Sequence, residues 1–240
     1  MSLRKRQYFI RSLTAGDHLE LFLVTAVATI LLIRFFLHVT GYPQIGGEGL
    51  HIAHMLWGGL LMLVALAMQF SFLSPEARWT ATFLGGAGFG AFIDEIGKFV
   101  TSDNDYFFQP AVGLMYLTFV ALFVAARWIQ HRARYTPEEY LYNAVLETAE
   151  AARNDLEEKE RARALAYLQH SDPDHPLTPA LRGLLNAVEP LPNRRPPRFR
   201  QAQARLKAWY AGVVQHPWFG RFVAVFFVGE LLLRLVFVVG

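Results

Sequence analysis

The stretch GGAGFGAFIDEIGKFVTSDNDYFFQP, residues 85–110, decides the fold of this chain. It places Asp94, Glu95 and Lys98 within an apolar, glycine-rich segment and follows them with an acidic, aromatic loop. A charge inside hydrocarbon costs roughly 3 kcal/mol or more, so such residues in a spanning helix face a partner, a cavity or a substrate. The stretch therefore predicts a membrane protein with a buried polar layer.

The composition of the whole chain also indicates a membrane protein. Of 240 residues, 53% are hydrophobic, 14% are aromatic and 18% are charged, and the mean hydropathy is +0.24. Soluble domains carry about 25% charged residues. Cysteine is absent, which excludes disulfides, thiolate chemistry, and cysteine-based zinc or iron–sulfur sites. The net charge of +3 does not indicate a nucleic-acid binder, because the basic residues flank apolar segments, where they orient the chain and contact lipid.

Apolar runs of spanning length predict about five transmembrane helices, since a helix needs roughly 20 residues to cross the hydrocarbon. The third run contains five glycines and three charges, so a re-entrant segment is the alternative there. The first run is too long for a cleaved signal peptide. The five runs are Leu19–Val39, His51–Leu73, Trp79–Val100, Phe108–Ile129 and Trp218–Gly240.

The distribution of positive charge predicts the orientation. Basic residues precede the first span, follow the fourth and precede the fifth, whereas the loops Thr40–Leu50 and Thr101–Phe107 contain no Lys or Arg. Positive residues stay on the cytoplasmic side. We therefore expect a multi-pass protein of the bacterial inner membrane with a cytoplasmic N-terminus, both of these loops outside, and the C-terminus outside.

The fold class that follows is an all-α integral membrane protein with a helical cytoplasmic domain between spans four and five. Thr136–Glu139 reads as a capping box that starts a helix expected to reach about His170, with Glu157 and Arg161 paired along it. A short helix follows from Thr178. The predicted divisions are residues 1–18 (cytoplasmic segment), 19–130 (four-helix membrane region), 131–217 (cytoplasmic helical domain with a basic juxtamembrane helix) and 218–240 (last span).

Charged residues of different spans are expected at one level. Counting helix rise places Arg34, Asp94 and Arg234 about 7 Å to the outer side of the midplane, with Glu230 near the centre. His51 and His54 are expected closer to the outer surface of the membrane, and His38 is expected at the outer end of the first span. On a helical wheel Gly86, Gly90 and Asp94 share a face that packs closely against other helices, whereas Glu95 lies opposite and pairs with Lys98. Arg34, His38, Glu95, Lys98, Glu230 and Arg234 are the expected supporting charges.

A divalent metal site is the leading functional hypothesis. Glu48, His51 and His54 form E-x-x-H-x-x-H at a helix start, and with Asp94 they offer nitrogen and oxygen ligands suited to zinc, iron or manganese. His51, His54 and Asp94 would bind the metal, and Glu48 would act as base toward a water that attacks a lipid-like substrate. Asp94 and Glu48 are thus the candidate catalytic residues.

Two other functions stay open, so whether the chain is an enzyme is not decided by the sequence. Ionisable residues in a membrane also serve proton- or ion-coupled transporters, although the inner half offers no matching polar path. The third alternative is a non-catalytic scaffold, in which these charges only hold the helices together. Expected partners are the bilayer, anionic lipid at the basic juxtamembrane helix, a second copy of the chain or a cytoplasmic protein, and no nucleic acid.

The string FIDEIGKFVTSDNDYFFQP, residues 92–110, resembles an uncharacterised family of bacterial polytopic membrane proteins. The resemblance covers about the first 130 residues and implies a membrane fold without an activity. Membrane hydrolases related to alkaline ceramidases are a second comparison. This chain lacks the pair of histidines that they carry late in their sequences, and it has too few spans. Only an outward-facing metal site carries over, as an analogy.

Overall fold

The computed structural model describes residues 9–41, 54–96, 100, 110–131 (129–131 in backbone only) and 135–192, with the single positions 201, 205, 208 and 212. The regular structure of these residues is helical, apart from an isolated parallel bridge between Glu157 and Leu191. The chain therefore belongs to the all-α class over the described part, as the sequence predicted.

Four helices form a bundle, and the helices after them form a second group, here called the helical unit. The bundle contains α1 (Ala15–Thr40), α2 (His54–Ser71), α3 (Pro75–Ile93) and α4 (Pro110–His131). The helical unit contains α5 (Pro137–Thr148), a 3-10 helix (Ala149–Arg153), α6 (Glu158–His170) and α7 (Leu177–Ala187).

Three described helices are long and apolar enough to cross a membrane: α1, α2 and residues Pro110–Trp128 of α4. Their outer faces are apolar, as at Leu31 and Phe35 of α1, which are 64% and 67% exposed. These features suggest a membrane protein, as predicted. The glycine-rich α3 is not among these three, and the expected fifth span and basic juxtamembrane helix lie outside the continuously described residues.

The helix α3 packs between α1 and α2 through glycines. An added Cβ at Gly86 would lie 2.5 Å from the carbonyl oxygen of Phe22, and one at Gly90 would overlap the carbonyl oxygen of Ala26. On the side toward α2, a Cβ at Gly88 would lie 2.6 Å from the carbonyl oxygen of Gly58. Small residues allow such backbone approach between helices. The close packing predicted for Gly86 and Gly90 is confirmed.

The ends of α3 differ from the predicted span Trp79–Val100. Ser74 caps its start by accepting a hydrogen bond from the amide of Ala77, and Pro75 occupies the first turn, where its missing N–H costs nothing. The helix ends at Ile93, with Asp94 at the C-cap and a turn over Asp94 and Glu95. The charged pair therefore follows α3 instead of lying within it.

The helical unit begins as predicted and then departs from the prediction. Thr136 and Glu139 form the capping box at the start of α5. The single helix expected up to His170 was wrong, because the chain turns at Asn154, whose φ of 53° lies in the left-handed region. Asparagine tolerates this conformation better than most residues. A second capping box, Glu157 with Glu160, starts α6, so Glu157 caps a helix instead of lying along one.

The helical unit has its own core and is joined to the bundle by polar contacts. Arg11 donates hydrogen bonds from Nε and Nη2 to the two carboxylate oxygens of Glu139, each 2.8 Å long, and Asn143 Nδ2 donates to the Arg11 carbonyl oxygen. Arg153 lies 3.6 Å from Glu76 at the start of α3. The helical unit thus lies at the end of the bundle where α1 and α3 begin. Its buried core residues are Leu141, Ala144, Leu156, Ala164, Leu168 and Leu185.

Candidate functional site

Four ionisable side chains meet at the other end of the bundle, away from the helical unit. Arg34 lies in the last two turns of α1, His54 is the first residue of α2, and Asp94 and Glu95 form the turn after α3. We call Arg34, His54, Asp94 and Glu95 the charge cluster. Three separate helices supply it, so it exists only in the folded bundle.

Each carboxylate oxygen of Asp94 contacts a different basic side chain. Arg34 Nε donates to Asp94 Oδ1 over 2.6 Å, and His54 Nε2 lies 3.2 Å from Asp94 Oδ2. The other ring nitrogen of His54, Nδ1, lies 3.2 Å from Glu95 Oε1. The imidazole of His54 therefore lies between two carboxylates, with one ring nitrogen 3.2 Å from each.

The two carboxylates of the charge cluster are buried, whereas the side chains of Arg34 and His54 are partly exposed. Asp94 and Glu95 are each 1% exposed, whereas the side chains of Arg34 and His54 are 37% and 25% exposed. A buried carboxylate is stable when a cation or hydrogen-bond donor compensates its charge. The charge cluster can therefore hold negative charge internally while it presents cationic and imidazole groups outward.

The convergence of Arg34 and Asp94 agrees with the level predicted for them, but the expectation about Glu95 was wrong. Glu95 does not act on a separate side from Asp94, because the imidazole of His54 lies between the two carboxylates, 3.2 Å from each. His54 and Asp94 were expected to share one site, and their side chains are in contact.

Of the remaining predicted site residues, only His38 is among the described ones. His38 is exposed in the last turn of α1. No group of three or more His, Asp or Glu side chains suited to one metal ion occurs among the described residues. The candidates Glu48, His51, Lys98, Glu230 and Arg234 lie outside the described part of the chain.

Sequence reasoning missed two polar contacts at the helical-unit end of the bundle. The ring of His18 stacks on Trp79 at 4.1 Å between centroids, and its Nδ1 lies 2.9 Å from Thr82 Oγ1. Trp79 and Thr82 are three residues apart and so share a face of α3, which is a signal that the sequence contained. The Arg11–Glu139 pair joins residues 128 positions apart, and no local pattern predicts such a pair.

Comparisons with protein-family models, with curated proteins and with solved structures gave no match to this chain. The resemblance of residues 92–110 to a bacterial membrane protein family therefore stays a prediction. The chemistry of the charge cluster has to be inferred from its own residues and distances.

Proposed function

We propose that this chain is a membrane-embedded hydrolase that acts on a lipid-like substrate with a divalent metal bound between His54 Nε2 and Asp94 Oδ2. The observation that carries the proposal is the position of His54, whose two ring nitrogens lie 3.2 Å from Asp94 and 3.2 Å from Glu95. The predicted location, the outer half of a bacterial inner membrane, belongs to the same proposal.

The contacts of His54 match those of a metal-binding histidine. Such a histidine donates its second ring N–H to a carboxylate, which fixes the tautomer and the ring orientation. With the proton on Nδ1, beside Glu95, Nε2 carries the free lone pair and lies 3.2 Å from Asp94 Oδ2. Arg34 holds the other oxygen of Asp94, so Oδ2 stays on the His54 side.

The distance between the two ligand atoms also supports a metal. Nitrogen and oxygen ligands bind zinc at about 2.0–2.1 Å, which places two ligands of a tetrahedral site about 3.3 Å apart. His54 Nε2 and Asp94 Oδ2 lie 3.2 Å apart. Glu95 contacts the opposite ring nitrogen, so it orients His54 and does not share the ion. In this proposal His51 provides a further ligand and Glu48 is the base, both as sequence-based expectations.

The packing below the charge cluster favours a site reached from one side over a conducting path. Gly86 and Gly90 bring α3 against α1, and Gly88 meets Gly58 of α2, so the described helix interfaces contain backbone contacts where a path would need space. Apolar side chains surround the cluster end, with Leu31 and Phe35 of α1 and Trp57 of α2 all more than half exposed. Exposed apolar side chains of this kind are suited to contact with the acyl chains of a lipid.

Metal content of the purified full-length protein in detergent tests this proposal. We expect about one equivalent of zinc, iron or manganese per chain in the wild type. His54→Ala and Asp94→Asn are expected to lose it, whereas His18→Ala, which changes a histidine at the opposite end of the bundle, keeps it. A metal-free wild type, or equal metal content in His54→Ala, would remove the proposal.

A proton-coupled carrier is the second candidate, favoured by one feature of the same site. When both nitrogens of His54 carry protons, the imidazolium lies within 3.2 Å of Asp94 and of Glu95, and its charge balances the second carboxylate. Flux measured in proteoliposomes under a pH gradient separates the candidates. The carrier is supported when the metal-free wild-type protein shows flux and Asp94→Asn does not.

A further inference from the structure

The helix α5 is held at both ends against the end of the bundle where α1 and α3 begin. In its first turn Glu139 accepts hydrogen bonds from the side chain of Arg11, which lies four residues before the start of α1. Directly after α5, Nη1 of Arg153 in the 3-10 helix lies 3.6 Å from Oε2 of Glu76 in the first turn of α3. The helix α5 therefore runs across this end of the bundle and does not project away from it.

The lengths of the connecting segments place α5 at the surface of the membrane that the bundle is expected to span. The apolar run of α1 begins at Leu19, four residues after the helix starts, which is about 6 Å of rise. The chain from His131, the last residue of α4, to Pro137, the first residue of α5, reaches about 21 Å at most. The head-group layer of a bilayer is about 5–8 Å thick on each side, and a helix with its side chains is about 10–12 Å across. The helix α5 therefore lies in the head groups or directly on them.

Three apolar side chains form an exposed stripe along α5, here called the α5 stripe. Tyr142, Val145 and Leu146 follow the i, i+3, i+4 spacing that places residues on one side of a helix, and they are 50%, 37% and 45% exposed. Leu146 follows Glu139 by seven residues, or about two turns, so it points in nearly the same direction as Glu139, toward the start of the bundle. The core of the helical unit is on another side of α5, at Leu141. The α5 stripe thus adjoins the side of the helix that docks on the bundle.

Lipid is the partner that fits the α5 stripe. Three side chains that are half exposed or less offer far less area than the roughly 800 Å² that each partner buries in a stable protein interface. The helix contains no Lys or Arg, and the exposed Glu138 lies one turn before Tyr142 on the same side, so attraction to anionic lipid does not contribute. Tyrosine and aliphatic side chains of a helix in the membrane interface insert at the boundary between head groups and acyl chains.

We infer that α5 is an interfacial helix, which lies along the membrane surface at the end of the bundle where α1 begins and inserts the α5 stripe at the head-group boundary. In the predicted orientation this surface is the cytoplasmic one. The inference depends neither on the charge cluster nor on a metal, and it requires only that the bundle spans a membrane. It gives the helical unit a role, which is to hold the starts of α1 and α3 at a fixed depth.

Spin labelling of the full-length protein in phosphatidylcholine vesicles tests the inference, since the chain contains no cysteine and each introduced label is unique. Tyr142→Cys, Val145→Cys and Leu146→Cys each carry one nitroxide. Power-saturation EPR measures collisions of the nitroxide with oxygen, which concentrates in the bilayer, and with a nickel chelate, which stays in water. The matched control is Leu184→Cys, a leucine of similar exposure on α7, which packs on α5 and α6. The reference for contact with lipid is Leu31→Cys on the outer face of α1.

We expect the ratio of oxygen to nickel collisions at the α5 stripe to exceed the ratio at Leu184 by about tenfold, because an interfacial helix buries its apolar face about 5–10 Å into the boundary. A ratio at Leu146 equal to that at Leu184 overturns the inference. Labels that neither reagent reaches show that protein covers the stripe, and spectral broadening that increases with the protein-to-lipid ratio shows that a second copy does. Either result overturns the inference as well. Three separately labelled positions keep the test decisive if one label disturbs the fold.

Discussion

The side chains of Arg34 and Asp94 are joined by a hydrogen bond of 2.6 Å between Nε and Oδ1, although sixty residues separate them in the chain. This bond connects the end of α1 to the end of α3 and fixes one oxygen of Asp94, while the other oxygen faces His54. The pair therefore contributes both to the stability of the bundle and to the geometry of the charge cluster.

A double-mutant cycle separates these contributions. Asp94→Asn removes the carboxylate charge and leaves a guanidinium beside a neutral amide, so we expect a loss of stability. Arg34→Gln is expected to destabilise the protein as well, because it leaves Asp94 buried without its strongest donor. The double variant should lose less stability than the two single variants lose when their losses are added. We expect a coupling energy of about 1–3 kcal/mol, measured by thermal unfolding in detergent. Additive losses would show that the two residues contribute independently.

Glycine substitutions test the packing of α3. Gly90→Ala places a methyl group against the carbonyl oxygen of Ala26, so α1 and α3 must separate and the melting temperature falls. Gly59→Ala is the matched control, because a Cβ there meets nothing within 4 Å and α2 gains the higher helix propensity of alanine. We expect Gly90→Ala to cost about 1–3 kcal/mol and Gly59→Ala to be neutral or slightly stabilising. Equal effects would contradict the described interface.

The pair Arg11–Glu139 predicts how the docking of the helical unit depends on pH. The hydrogen bond from Arg11 lowers the pKa of Glu139 from 4.5 to about 2. A lowered carboxyl pKa stabilises the folded state above the unfolded value, and this stability is lost as the pH falls from about 4.5 to about 2. We expect this acid-sensitive step in the wild type, measured by thermal unfolding at a series of pH values across this range.

Glu139→Gln isolates that contribution, because glutamine still completes the capping box but does not form an ion pair with Arg11. It is expected to lower stability at pH 7 by about 3 kcal/mol and to remove the step between pH 4.5 and pH 2. Glu138→Gln, one residue earlier and exposed, is the control and should behave as the wild type does. An unchanged acid profile in Glu139→Gln would contradict the assignment.

Metal removal gives the last prediction. A chelator should lower the melting temperature of the wild type, because an ion present at 100 times its dissociation constant stabilises the folded state by about 3 kcal/mol. His54→Ala should already melt at the lower temperature and show no further shift with the chelator. A chelator effect of the same size in His54→Ala would place the bound ion elsewhere.

The sequence predicted those features that are encoded in neighbouring residues. The long apolar runs of α1, α2 and α4, the capping box at Thr136 and the glycines of α3 follow from hydropathy, hydrogen bonding and residue size over one or a few turns. The break at Asn154 was missed, because it depends on one residue in a left-handed conformation within a segment of strong helix formers.

What the sequence by itself determined is which residues are apolar enough for a membrane and which charges interrupt them. Only the tertiary structure decided that Arg34, His54, Asp94 and Glu95 meet, and that Glu95 contacts the same imidazole as Asp94. The reason is geometric: helical periodicity gives the direction of a side chain within one helix, but it does not give the placement of that helix against others far away in the chain. The positions of the two carboxylates are set by the contact of α3 with α1 and α2.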